Sequence, residues 1–153
     1  MDQEMFRWVL AAYALMFLGI WLVGTSLNGL LSGWFRLQRW YADDGTEAPL
    51  RSMRALPAFM GRSGVRLSGR LTLGATAKGL SLRVLRLFAP FQRPLLIPWS
   101  DITASAPMPG WLSERIKLHF GQPAIGQLTL SAKSWAQLVE AAGVDPAGFR
   151  DEA

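Results

Sequence analysis

From Trp8 to Val23 the chain reads WVLAAYALMFLGIWLV, apolar on every side of a helix drawn through it, and no charge falls between Arg7 and Arg36. A helix rises about 1.5 Å per residue and a bilayer's hydrocarbon core is about 30 Å thick, so about 20 residues cross it. The stretch 8–31 is long enough, and its lack of a polar face sets it apart from a helix half-buried in a soluble core. A cleaved signal peptide fits less well. Residues 1–7 carry Asp2 and Glu4 against Arg7, where a basic n-region is wanted, and no small-x-small cleavage site follows a short apolar core. The pattern predicts a transmembrane helix over 8–31, after a short non-cytoplasmic tail at 1–7.

The spacing then changes. Trp34, Leu37, Trp40 and Tyr41 fall on one side of a short helix, with Arg36 and Arg39 on another. Such a segment is expected to lie along lipid headgroups, and with the polar run that follows it makes a juxtamembrane unit over 32–49. Trp8 and Tyr13 near one end of the apolar stretch, and Trp34, Trp40 and Tyr41 beyond the other, are the expected interface anchors. Thr25, Gly29 and Gly33 make a stripe of small residues. It suits either close approach of a second helix or a loosening of the helix as it leaves the bilayer.

From Leu50 onward the period is two. Residues 71–76 and 80–84 alternate, and Arg115-Ile116-Lys117-Leu118-His119-Phe120 sets Ile, Leu and Phe against Arg, Lys and His. Gln127 to Ser131 repeats the pattern. Strands with one buried and one wet face belong to antiparallel sheets, and Gly- and Pro-containing turns at 77–79, 89–91, 107–110 and 121–123 separate them. Trp135, Leu138, Val139 and Ala142 then form a helical stripe, with Ser131 or Ser134 to cap its start and Gly143 to end it. A domain over 50–143 is expected, followed by a tail at 144–153.

Leu95 to Ile102, LLIPWSDI, begins as a core strand, meets Pro98 where a strand edge needs no donor, and turns polar at Ser100-Asp101. With Leu71 to Thr76, Gly79-Leu80-Ser81-Leu82 and the helix from Ala132 to Ala142, this order resembles the pleckstrin-homology-like superfold, in particular GRAM-type domains and small membrane-anchored bacterial relatives. The resemblance covers about 33–143 and implies an α+β fold. A bent antiparallel β-sandwich, or partly open barrel, would be closed by a C-terminal helix. It also implies a binding module rather than an enzyme.

Composition narrows the chemistry. The chain has 153 residues, half of them hydrophobic, with no Cys, one His and a formal charge of +5. Disulfides, thiolate catalysis and Cys- or multi-His metal sites are excluded by residue type. His119 lies between Arg115 and Lys117 on a wet strand face with no nucleophile near it in sequence, so no catalytic residue, metal site or cofactor is expected. Arg36, Arg39, Arg51 and Arg54 follow the apolar stretch while Arg7 alone precedes it. The positive-inside rule therefore places the C-terminal domain in the cytoplasm and the N-terminus outside the inner (plasma) membrane.

No Asp or Glu occurs from Ala48 through Ser100, whereas nine Arg and Lys do: Arg51, Arg54, Arg62, Arg66, Arg70, Lys78, Arg83, Arg86 and Arg93. Arg36, Arg39, Arg66, Arg70, Arg83, Arg86 and Arg93 are the expected headgroup contacts, with Phe88 and Phe91 as wedges in the loop between two strands. Nucleic acid is not expected, because the aromatics follow core or membrane patterns rather than alternating with the basic residues. The sequence thus predicts a non-catalytic, membrane-tethered protein-interaction module, or alternatively a reader of anionic lipid.

Overall fold

In the computed structural model of the protein, residues 2–43, 45, 48–54, 58–67, 69–87, 89–111 and 113–149 are described. Helix α1, Gln3–Leu31, is apolar enough and long enough to cross a membrane. Every described residue as far as Ile20 is exposed; Trp21 and Leu22 are the first to be partly covered, and Gly29 is buried. At the far end Ser32 N–H donates to the Asn28 carbonyl and Gly33 N–H to that of Leu30. Gly33 then takes φ +77°, a left-handed step that costs Gly little, and the chain re-enters a helix, α2 (Trp34–Tyr41).

The strands are β1 (Arg51–Arg54), β2 (Ala58–Met60), β3 (Val65–Arg66), β4 (Leu71–Ala75), β5 (Gly79–Val84), β6 (Leu95–Pro98), β7 (Ile102–Ala104), β8 (Arg115–Phe120) and β9 (Gly126–Ser131). Among the described residues they form two antiparallel sheets, ordered β1-β4-β5-β6 and β3-β2-β9-β8-β7. The expected α+β layout of antiparallel sheets with a C-terminal helix is present, and the sheets do not close. Helix α3, Ala132–Ala142, follows β9 directly. Its cap is Ser131, which accepts from Ser134 N–H, and Gly143 ends it at φ +69°.

Alternation along β8 places Ile116, Leu118 and Phe120 in the core and leaves Arg115, Lys117 and His119 partly exposed. Opposite them lie Leu71, Leu73, Leu80, Leu82, Leu95 and Ile97, all fully buried. The LLIPWSDI stretch is the corner between the sheets. Pro98 ends β6, an outer strand of its sheet, and a 3-10 turn over Trp99–Asp101 delivers the chain to β7 in the other. Trp99 Nε1–H donates to the Thr76 carbonyl at 3.0 Å. Its ring also packs with Trp135 and Phe149, at centroid distances of 6.2 and 5.9 Å.

Some expectations need correction. Helix α2 docks on the sheets and not on a free interface. Trp34 and Leu37 are fully buried, and Leu37 rests on Gly126, where a Cβ would come within 2.7 Å of it. The α2 segment is sewn to the chain before β6: Trp34 Nε1–H donates to the Arg93 carbonyl (3.0 Å), Arg93 N–H to Gln38 Oε1 (2.9 Å) and Asp43 N–H to the Pro94 carbonyl (2.9 Å). An apolar helical face looks the same in sequence whether a bilayer or a sheet covers it. The connector also folds back. Pro49 lies over Gly74, where a Cβ would stand 3.0 Å from it, and Ser81, expected on the wet face of β5, is buried. Residues beyond Gly143 are not all tail either, since Phe149 is buried in the core beside Trp135.

Candidate functional site

The β2–β3 turn, Gly61 to Gly64, meets the end of α1. A Cβ on Gly61 would stand 2.8 Å from the Ser32 carbonyl oxygen, and its φ is +76°. Only Gly allows the two backbones to come this close. The contact leaves a hollow on each side of the turn.

One hollow, of about 420 Å3, runs between Leu30 to Gly33, Arg36, the turn residues Gly61 to Ser63, and His119 with Gln127. No carboxylate lines it. Arg36 and Arg62 here face the C-terminal end of α1, which has no basic residue in its own last turn. Carbonyls at a helix C-terminus carry about half a negative charge and favour nearby cations, which suits two arginines lining the hollow there.

The other hollow, of about 480 Å3, lies between α1 and β3 and is lined by Trp21, Gly24, Thr25, Asn28, Val65, Arg66 and Arg70. Arg66 and Arg70, both expected as headgroup contacts, are brought together here. Arg83 is not: it lies against the connector, with its Nη2 3.3 Å from a Cβ built on Gly45. Arg39 and Arg86 are exposed elsewhere on the surface, and Arg93 is exposed but serves α2 through its backbone. Phe88 lies outside the described residues. Phe91 is exposed in the 85–94 loop, as are Leu85 and Leu87. This loop reaches the same end of the domain, because Leu85 N–H donates to the Arg70 carbonyl (3.1 Å) and Gln92 abuts α1 at Gly29. The small-residue stripe is covered within the chain at Gly29, where a Cβ would stand 2.5 Å from Gln92 Nε2 and 2.8 Å from Phe35, and is open at Gly33, where a Cβ would meet nothing within 4 Å.

Among the expected anchors, Trp8 and Tyr13 are exposed on α1 and Trp40 is exposed on α2. Trp34 is fully buried and cannot reach a headgroup. Tyr41 is spent on the domain as well: its hydroxyl donates to Asp101 Oδ2 at 2.8 Å. Burial first, then this hydrogen bond and the Asp101 charge, push the Tyr41 hydroxyl up to about 12. The stability this bond contributes is whole below pH 10, fades above it as the unfolded chain ionises first, and is lost as pH rises through about 12, where the folded hydroxyl ionises too. Tyr13 and Tyr41 are the two tyrosines, so a Tyr13→Phe variant reports Tyr41 alone. Its tyrosinate absorbance is expected to appear near pH 12, and Asp101→Asn to draw that midpoint back toward 10. A midpoint near 10 in the Tyr13→Phe protein would refute the buried bond.

The sequence reading missed Trp21, Thr25 and Asn28 as site residues. The one signal available was that polarity returns at Thr25, Ser26 and Asn28 before the helix ends. Comparison with protein-family models, with curated proteins and with solved structures gives no match to this chain. Among the described residues there is no group of three or more His, Asp or Glu placed to hold a metal ion.

Proposed function

We propose that this chain is a non-catalytic, single-pass protein of the inner (plasma) membrane. Its cytoplasmic domain, PH-like in the order of its strands and closing helix, is a membrane-tethered interaction module for another protein. The observation that carries this reading is the division of α1. From Trp8 to Leu31 it carries no charge and extends about 36 Å at 1.5 Å per residue, enough to cross the hydrocarbon, and its residues up to Ile20 are bare. Its remainder is held by the domain through Gly29, Ser32 and the rigidly docked α2. A helix fixed in this way sets the domain against the bilayer and leaves its far end free.

That far end supports a protein partner. Trp111, in the β7–β8 loop, is 90% exposed, and Met108 beside it is exposed. A hollow of about 440 Å3 between α3 and β7–β8 is lined by Ile116, Trp135, Val139 and Val144 among others. Exposed Trp residues often carry much of the energy of an interface. The non-catalytic part of the reading rests on residue types: the chain has no Cys to serve as a nucleophile, and its one His lines a hollow beside Arg36 and Arg62.

Two measurements test this reading. Alkaline carbonate should leave the full-length chain in the membrane pellet, and its release would end the reading at its base. Crosslinking in intact membranes should yield one discrete adduct that Trp111→Ala abolishes; an adduct pattern unchanged by that substitution would count against the partner surface.

A second reading, recognition of anionic lipid, is favoured by Arg66 and Arg70 converging beside α1 and by the exposed Phe91 loop at the same end. In nanodiscs the β2–β3 turn and the 85–94 loop should exchange amide hydrogens more slowly over anionic than over neutral lipid, with the difference lost in high salt. Equal exchange in both would dismiss it.

A further inference from the structure

The 85–94 loop exposes three large apolar side chains, Leu85, Leu87 and Phe91, each more than half uncovered. Both of its ends are tied down. Leu85 N–H donates to the Arg70 carbonyl at one end, and Arg93 N–H to Gln38 Oε1 at the other. Between them Ala89 N–H donates to the Arg86 carbonyl (3.3 Å) and Gln92 N–H to that of Ala89 (3.2 Å), while Ala89 itself is buried. The backbone thus holds these apolar groups outward, where contact with water is unfavourable. Their surroundings are apolar too. Gln92 meets α1 at Gly29, and Phe35 meets it at the same place. From there Phe35 borders a hollow of about 480 Å3 over Leu22, Val23, Leu27 and Leu30. Of these Val23, Leu27 and Leu30 are exposed, so the uncovered apolar side of α1 runs on to the base of the loop.

Level along the helix decides what covers them. The uncharged stretch of α1 begins at Trp8, directly after Arg7. Gly29 stands 21 residues beyond Trp8, about 32 Å at 1.5 Å each, and a hydrocarbon core is about 30 Å thick. Gln92 therefore touches α1 at the edge of the hydrocarbon, and any tilt of the helix draws it deeper. We propose that the 85–94 loop is a wedge seated in that edge, with Leu87 and Phe91 among the acyl chains of the bilayer that α1 crosses. Its ligand is the lipid acyl chain, whatever the headgroup charge. Arg86, exposed between Leu85 and Leu87, has a stem long enough to keep its guanidinium among headgroups and water. A lone helix can turn about its own axis in a bilayer. A wedge to one side of it stops that turn and fixes which face of the domain meets the lipid.

This inference rests on α1 crossing a bilayer and differs from recognition of lipid by charge, and the test separates all three. The chain has no Cys, so Leu87→Cys, Phe91→Cys and, at the far end, Trp111→Cys each give one site for a nitroxide label. Each full-length variant is placed, one copy per disc, in nanodiscs of dioleoyl phosphatidylcholine. Collisions of the label with oxygen and with a water-soluble nickel chelate are then measured. Labels at 87 and 91 should collide mostly with oxygen, which concentrates in hydrocarbon, and the label at 111 mostly with the chelate. Adding dioleoyl phosphatidylglycerol should leave that pattern as it is. Labels at 87 and 91 as open to the chelate as the one at 111 overturn the wedge, even where carbonate leaves the chain in the pellet. Shielding that appears only with phosphatidylglycerol overturns it as well, in favour of recognition by charge. A chain that carbonate strips from membranes refutes the crossing itself, and the wedge with it.

Discussion

Trp34→Ala is expected to destabilise the domain by about 3–5 kcal/mol, as large-to-small changes at a buried aromatic do, and to release the end of α1 from the sheets. Trp34 is fully buried, and its indole N–H satisfies the Arg93 carbonyl at 3.0 Å. The substitution therefore opens a cavity between the sheets and also leaves an acceptor without its partner. Leu37, Gln38 and the Asp43–Pro94 bond hang from the same helix, so the loss should spread along the seam that joins α2 to β6. Urea unfolding of the full-length protein in detergent, followed by amide exchange in β9 and β6, measures it. The companion substitution Trp40→Ala, at a side chain 69% exposed, should shift the midpoint by no more than about 0.5 kcal/mol. Equal shifts would mean that α2 is a surface helix after all.

Gly79→Ala is the second large effect, expected at about 3 kcal/mol or more, at the top of the range for overpacking because only backbone surrounds the site. A Cβ there would overlap the Ile97 carbonyl oxygen, 2.7 Å from its carbon and 2.9 Å from Pro98 Cα. No rotamer relieves such a contact. Either β5 and β6 part where Gly79 pairs with Pro98, or the Thr76 turn opens and gives up the bonds between Thr76 and Gly79 at 2.8 and 3.0 Å. Either loss weakens the strand that feeds the corner at Trp99. Lys78→Ala, one residue earlier and exposed, should be nearly neutral. A Gly79→Ala protein that unfolds at the wild-type urea concentration would show that the corner does not depend on this approach.

Both substitutions test places where the tertiary structure overrode a local reading. The period-two pattern of β8 and β9 could be followed directly, because each strand has one face against the core and the other toward water. The Ser131 cap and the left-handed Gly143 were readable too, since capping is decided within a few residues. Pro98 marked an outer strand for the same local reason: it has no N–H to give a neighbour. The short strands β1 and β3 carried no comparable signal. Arg51 to Arg54 is largely exposed, and two residues of β3 cannot establish a period.

For the candidate site, sequence singled out Arg66 and Arg70 by charge alone and grouped them with Arg83. Whether two arginines share a hollow depends on which strands adjoin which helix, and that depends on contacts far apart in the chain. Thus Arg83 went to the connector at Gly45, while Trp21, Thr25 and Asn28, which no charge argument selects, came to face β3.

By itself, then, the sequence determined an uninterrupted apolar helix at the front, the two-faced strands, the capped closing helix and the excess of basic over acidic residues. Each of these follows from the nature and spacing of neighbouring residues. Only the tertiary structure decided that Trp34 and Tyr41 belong to the domain, that Pro49 and Phe149 fold back onto it, and that two arginines meet the anchor helix where its surface turns polar. An apolar or charged side chain records in sequence what kind of surroundings it needs, and distant parts of the chain decide what those surroundings are.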